Sequence, residues 1–419
     1  VGSEMCIRDR YYAMKQIFGF VPAAAVCCLL VTGCSNENDV NEPGVEQVID
    51  PVEQVEYTVA EKNAVAATQG FDYDFLKAVC ASESYDENVV VSPLSAQMLL
   101  SMMANVTDAS STAEIIRALG CDDVSSLNSF NGKCLRVLPH VDASTKIALA
   151  NSVWFHNAYT MNQAFVATAN DFYDMEVFGR DFDVAWPVVD EVNGWCNKKT
   201  SGLIPNIING LDGVSIMINA LYFKGEWANP FDEAETEMKD FNGQAGVAKV
   251  KMMHKKGMQH YAVNNDYEAV KLELGNGAVS IAFVLPEEGK DMDVFMKGFD
   301  YVAFKNERYS DRVIDLSLVK CNLAPGKFDL QTALMSLGVN GVFAPGQISL
   351  FEEALDGQFR IYQKSAVEFS EKGAEGASVT WNTEVIAPGA GDVAEVPVVT
   401  FNRPYLFFIT EAQTGVCLM

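Results

Sequence analysis

Histidine is scarce in this chain: there are four in 419 residues, at His140, His156, His254 and His260. None stands at metal-ligand spacing from another or from a cysteine pair, so the sequence offers no zinc site. Cysteine forms no framework either. Cys80, Cys121, Cys134, Cys196, Cys321 and Cys417 are scattered without a CxxC pair; they read as buried free thiols, with Cys121 and Cys134 the one short-range pair open to bridging. The serine-elbow string, HExxH and a glycine-rich phosphate loop are all missing, so the chain reads as no enzyme and needs no metal or cofactor. Basic residues are few, 30 against 56 acidic, for a net charge of -26. Such a surface repels nucleic acid phosphates and anionic membranes, which makes either a poor partner.

Apolar residues, by contrast, make up 49% of the chain, enough to bury the core of one large domain or two ordinary ones. Residues 1–33 read as leader rather than fold. Residues 1–13 have no periodic logic and resemble read-through or vector sequence. From Met14 a short basic region with Lys15 leads into an apolar stretch from Ile17 to Val31, too short for a stable spanning helix. The ending Val31-Thr32-Gly33-Cys34 resembles a bacterial lipobox, with Cys34 as the lipidated first residue of the mature protein. Ser35 after the cysteine, rather than Asp, resembles the outer-membrane version of that signal, and the acidic run SNENDVNE resembles surface-export signals. The expectation is therefore a bacterial outer-membrane or cell-surface lipoprotein, facing outward and touching membrane only through its lipid. Residues 34–66 are polar and read as a flexible tether.

Within residues 67–419, the spacing of Phe71, Phe75, Leu76 and Val79 predicts a first helix, with folding expected to start at Phe71. Asn88 to Val91 reads as a short strand stopped by Ser92-Pro93, which begins the next helix. Further helices are predicted over 111–119, closed by Gly120, over 165–173, over 188–200, and over 328–337 with Gly338 as cap. Strands are predicted over 146–155, 267–274, 280–286, 365–370, 405–410 and 415–419. The almost wholly apolar SIMINALY at 215–222 must be a strand covered on both faces. The run from Glu371 to Val399 lacks a periodic element of its own. A connection of that length is usually functional or disordered, and here two core strands lie beyond it. Strands and helices mix in one α+β unit with no internal repeat.

Four strings carry a family resemblance. Asn88 to Ser95, NVVVSPLS, Val192 to Ile208, VNGWCNKKTSGLIPNII, Asn219 to Asp232, NALYFKGEWANPFD, and Phe401 to Phe408, FNRPYLFF, resemble the landmarks of the serpin family, in the family's order. The resemblance implies one domain of three β-sheets and eight or nine helices with an exposed reactive-centre loop, here about 373–396. It also implies a few residues beyond Met419. In inhibitory members a protease cleaves the loop, an acyl-enzyme forms, and the loop inserts as a new strand of the largest sheet. Trp227 matches the tryptophan at the top of that sheet. Ser92, Asn193, Trp195 and Asn219 are expected to be scaffold residues.

Insertion demands small residues facing the packed layer and a ladder that nothing interrupts. With Glu371 taken as the family's hinge glutamate, the hinge comprises Glu371, Gly373, Ala374, Glu375, Gly376, Ala377, Ser378, Val379 and Thr380. Ala374, Gly376, Ser378, Thr380 and Asn382 then point inward, and all are small or short. Proline is absent from Glu371 through Ala387, so every amide there can donate. The reactive bond is expected at Ile386-Ala387. Pro388 argues against a cut after Ala387, and Val385-Ile386 and Gly389-Ala390 remain alternatives. These residues are small or branched and apolar. An elastase-like or subtilisin-like serine protease accepts them, a trypsin-like pocket does not, and a papain-like cysteine protease is a further candidate. The expectation is a monomeric suicide-substrate inhibitor; the alternative is a non-inhibitory surface binding protein of the same fold.

Overall fold

The computed structural model describes residues 56–82, 88–211, 213–323, 328–353, 361–374 and 396–419. Cys34, most of the expected tether, hinge residues Glu375 to Thr380 and the reactive-bond candidates Val385 to Ala390 lie outside these residues.

The first helix, α1 (Val59–Ser82), begins twelve residues before the predicted start at Phe71. The reason is a capping box: the Glu61 backbone N–H donates to Thr58 Oγ1 at 3.2 Å, and the Thr58 N–H donates back to Glu61 Oε2 at 2.8 Å. Lys133 Nζ then pairs with the buried Glu61 carboxylate at 2.8 Å, tying the helix start to the body. Eight more helices follow among the described residues: α2 (Pro93–Met103), α3 (Ala109–Leu119), α4 (Val124–Val137), α5 (Gln163–Tyr173), α6 (Ala185–Lys199), α7 (Met292–Gly298), α8 (Tyr301–Lys305) and α9 (Gln331–Ser336). Gly120 closes α3 at φ 70°, a left-handed cap.

The strands in chain order are β1 (Thr145–His156), β2 (Met175–Arg180), β3 (Ser215–Glu226), β4 (Glu237–Gly243), β5 (Gly246–Val263), β6 (Tyr267–Leu274), β7 (Val279–Pro286), β8 (Ser310–Val319), β9 (Cys321–Leu323), β10 (Phe328–Asp329), β11 (Tyr362–Gln363), β12 (Val367–Phe369), β13 (Gly373–Ala374), β14 (Val398–Thr400) and β15 (Leu406–Glu411). One sheet runs β13-β3-β1-β2, with β3 antiparallel to β1. A seven-stranded network runs β14-β8-β5-β6-β7-β15, with β4 on β5. Its long middle strands make it two sheets: β4 and β14 attach at one end of β5 and β8, and β6, β7 and β15 build out from the other. The fold is mixed α+β with three main sheets, and β12-β9 and β10-β11 form short pairs beside them.

The apolar string at 215–222 is covered on both faces, as its composition demands. Leu221 and Phe223 of β3 enter the main core with α1 and α2, while Ile218 and Ala220 enter a separate cluster with Val188, Val192 and Cys196 of α6.

Three local expectations are corrected. Asn88 to Val91 forms no strand, because the Gln363 side chain satisfies the Ser92 backbone in place of a neighbouring strand: Ser92 N–H donates to Gln363 Oε1 and Gln363 Nε2 donates to Ser92 O, both at 2.9 Å. The helix expected over 328–337 begins only at Gln331, since Phe328 and Asp329 pair with β11. Residues 415–419 form no strand of their own but close on β15, with Leu418 N–H donating to Ile409 O at 2.8 Å. Cys121 and Cys134 are both buried and free.

Candidate functional site

The site is built where β12 ends. The chain reverses over Glu371 and Lys372, so that Ser370 and Gly373 bridge each other and exchange backbone hydrogen bonds at 2.8 and 3.3 Å. On its other side β13 pairs antiparallel with the end of β3, Gly373 opposite Glu226 and Ala374 opposite Gly225. β13 is thus a two-residue strand wedged between the end of β12 and β3. Gly373 is required there: its φ is 154°, and a Cβ would lie 2.1 Å from the Gly225 carbonyl oxygen. Ala374 is 1% exposed and part of the main core.

Among the described residues, β13 is the strand paired with the edge of β3 that faces away from β1, and it meets that edge at Gly225 and Glu226.

Three groups hold the turn in place. Trp227, 4% exposed, donates its indole N–H to Ser370 O at 2.8 Å and its backbone N–H to Lys372 O at 3.0 Å, and it packs beside Phe369, ring centroids 6.4 Å apart. Phe231 N–H donates to Glu371 O at 2.8 Å. The Glu371 side chain is buried and accepts from Lys320 Nζ at 2.6 Å and Thr236 Oγ1 at 2.8 Å. Burial pushes its carboxyl upward, but the Lys320 ammonium and the hydrogen bonds outweigh this and hold it below the usual carboxylate range.

The scaffold residues lie apart from this turn. Ser92 caps α2, its Oγ accepting the Ser95 N–H at 3.2 Å. Asn193 pins the stretch after α6: its Oδ1 accepts from Ile207 N–H at 2.7 Å and its Nδ2 donates to Ile208 O at 2.9 Å. Trp195 donates to Glu176 Oε1 at 3.1 Å. Asn219, on β3, donates to Asn151 Oδ1 at 2.7 Å, while its own Oδ1 is buried with no partner among the described residues. Lys320, Thr236, Phe231 and Gly225 were not singled out from sequence. Each reaches the turn from a distant part of the chain, and nothing local marks such a contact.

His156, Asp181 and Asp183 come within 4.8 Å of one another. His156 Nδ1 accepts the Ala158 N–H at 3.2 Å, so the neutral ring carries its hydrogen on Nε2 and offers no lone pair to an ion.

Fold and site together define a class: a mixed α+β domain with three main sheets and a two-residue strand, β13, on the edge of β3. A family model described as Serpin (serine protease inhibitor) matches residues 66–419, and the chain belongs to that family. It is 25% identical to an uncharacterized serpin-like protein of Thermococcus kodakarensis, over 85% of this chain and 84% of the relative. It is 26% identical to a corticosteroid-binding globulin of Saimiri sciureus, over 88% and 92%. Among solved structures, the native state of the thermophilic serpin tengpin is similar with a TM-score of 0.76 at 24% identity, covering 88% of this chain and 95% of that one.

Proposed function

We propose that this chain is a suicide-substrate inhibitor of an elastase-like or subtilisin-like serine protease, acting by loop cleavage and strand insertion. The observation that carries the reading is β13: its antiparallel pairing puts Ala374 opposite Gly225, at the head of the lane along β3 that the proposed new strand would take. Continued down β3, that register brings Gly376 opposite Phe223, Ser378 opposite Leu221, Thr380 opposite Asn219 and Asn382 opposite Met217. These β3 positions face the main core or pack against it, and the residues that would meet them are small or short. No proline interrupts the segment.

In the proposed reaction the protease's serine oxygen attacks the carbonyl carbon of Ile386. The peptide bond to Ala387 breaks, the Ala387 amine leaves with a proton, and Ile386 is held as an ester on the protease. Insertion must outrun hydrolysis of that ester. The protease supplies all the chemistry, and this chain supplies the bond and the lane.

Anchoring rests on the sequence pattern at Cys34. The proposed molecule is a lipoprotein of the bacterial outer membrane or cell surface, its domain outside and its lipid the only membrane contact. Among the described residues no helix is long and apolar enough to cross a membrane. Labelling with a radioactive fatty acid, lost in Cys34→Ala, tests this part separately.

The second reading, a non-inhibitory binding protein, draws on the relative named a corticosteroid-binding globulin. Mixing the purified chain with pancreatic elastase or subtilisin separates the two. An adduct that survives SDS and heat supports inhibition; clipping with no adduct and no loss of protease activity supports the binder.

A further inference from the structure

We infer that the gap on β5 beside the hinge-holding loop is a binding site for a small aliphatic monocarboxylate, headed by Lys255 and Gln259. On the edge of β5 away from β8, pairing with β4 ends at Met252 and pairing with β6 begins at His260. Residues 253–259 have no strand partner there among the described residues, and Ala228 and Asn229 border the gap as a cavity of about 230 Å³. That is below the roughly 300–1,000 Å³ of drug-sized pockets, so the occupant is small. Lys255 lines the cavity at 9% exposure and has no carboxylate within ion-pair distance among the described residues. Its Nζ donates to Asn229 O at 2.8 Å and sits 4.3 Å above the Phe231 ring centroid, which leaves donor capacity unspent. Gln259 lines the same cavity at 7% exposure, and its buried Nε2 has no partner among the described residues.

A buried ammonium without a counter-ion and an orphaned amide N–H are both costly, and one carboxylate would answer both. Leu272 and Met258 give an aliphatic tail a surface. Glu273 and Asp311 also line the cavity, each within ion-pair distance of His260. Their charge disfavours a second carboxylate on the ligand, and Lys271 completes the charged lining. Burial pushes the Lys255 ammonium down to about 7, so at pH 8 the empty site holds mostly a free amine, and a bound carboxylate would recharge it.

The probe is butyrate. The full chain is reductively dimethylated at pH 8 and modification of each lysine is read by peptide mass spectrometry. Butyrate should protect Lys255 saturably and leave exposed Lys249 and Lys256 unchanged, while butylamine should do nothing. Gln259→Leu should weaken protection by about threefold to tenfold, the loss of one hydrogen bond. Calorimetry in two buffers of different ionisation enthalpy should show proton uptake on butyrate binding. Lys255 modification indifferent to butyrate overturns the site. Protection that inorganic phosphate matches, or that Gln259→Leu leaves unchanged, overturns the carboxylate assignment. Wild-type labelling and calorimetry need no folded variant.

Discussion

The indole N–H of Trp227 reaches the carbonyl oxygen of Ser370 at 2.8 Å, the last residue before the chain reverses onto the edge of β3. A tryptophan side chain here is a latch on the hinge as well as a core residue. Trp227→Phe keeps most of the packing and removes the shorter of the two hydrogen bonds to the Ser370 carbonyl, leaving the Gly373 N–H at 3.3 Å, which should cost the intact chain about 0.5 to 1.5 kcal/mol. Urea unfolding of the uncleaved protein checks this, and a midpoint equal to the wild type would remove the latch from the argument.

Ala374 is the first residue of the turn to lie fully inside the core, opposite Gly225. A guanidinium there would be buried without a counter-charge, at a cost of several kcal/mol, so the head of the lane would reject the hinge. Ala374→Arg is therefore expected to convert an inhibitor into a substrate: clipping continues while the SDS-stable adduct disappears. An unchanged stoichiometry in active-site titration contradicts the lane.

Why part of this was legible in sequence and part was not follows from which signals are local. Ser92-Pro93, Gly120 and the apolar string at 215–222 act within a few residues of themselves, and the elements they predict are present. The Thr58 to Glu61 capping box was equally local and was missed, because the polar stretch around it read as tether. β5 was missed for a different cause. It carries lysines, two glycines and an exposed face, and its strand character comes from β4, β8 and β6, not from its own residues. In the site, the strings around Trp227 and Glu371 marked the right places. Their partners Lys320 and Thr236 are 51 and 135 positions from Glu371, a relation no local pattern encodes.

The Glu371 clamp predicts behaviour in acid. Its folded carboxyl lies below the ordinary range, so its contribution is present above the unfolded value of about 4.3 and is lost as pH falls through the folded value. Glu371→Gln removes the charge-assisted bond to Lys320, a loss of about 1.5 to 3 kcal/mol at pH 7, and the variant and wild type should converge as pH drops below that unfolded value. Parallel melting curves across that range would refute the clamp.

Asp72 of α1 behaves in the opposite sense. Burial pushes its carboxyl up to about 8, against the pull of Lys305, whose Nζ lies 3.9 Å away. The folded state therefore holds a proton the unfolded chain has released, and the contribution of Asp72 is fully present below about pH 4 and is lost as pH rises through 8. Asp72→Asn, with no proton to lose, should gain at least about 1 kcal/mol on the wild type between pH 5 and pH 9. Chemical denaturation at both pH values measures it, and a constant difference would place Asp72 outside the titration.

The orphaned oxygen of Asn219 bears on the inserted state. It is buried and without a partner among the described residues, and such an acceptor destabilises the molecule in which it occurs. The register set by Gly373 and Ala374 would bring Thr380 opposite Asn219 once the cleaved loop descends along β3, so the Thr380 hydroxyl could donate to the orphan. Part of the driving force for insertion would then come from relieving a deficit built into the uncleaved protein. Thr380→Val keeps the side chain's shape and removes the donor, so it should leave the intact protein unchanged and lower the cleaved form's stability by about 1 to 3 kcal/mol. Melting intact and cleaved protein side by side separates the two effects. If the variant shifts both equally, Thr380 acts outside the lane; if it shifts neither, the loop enters in another register or not at all.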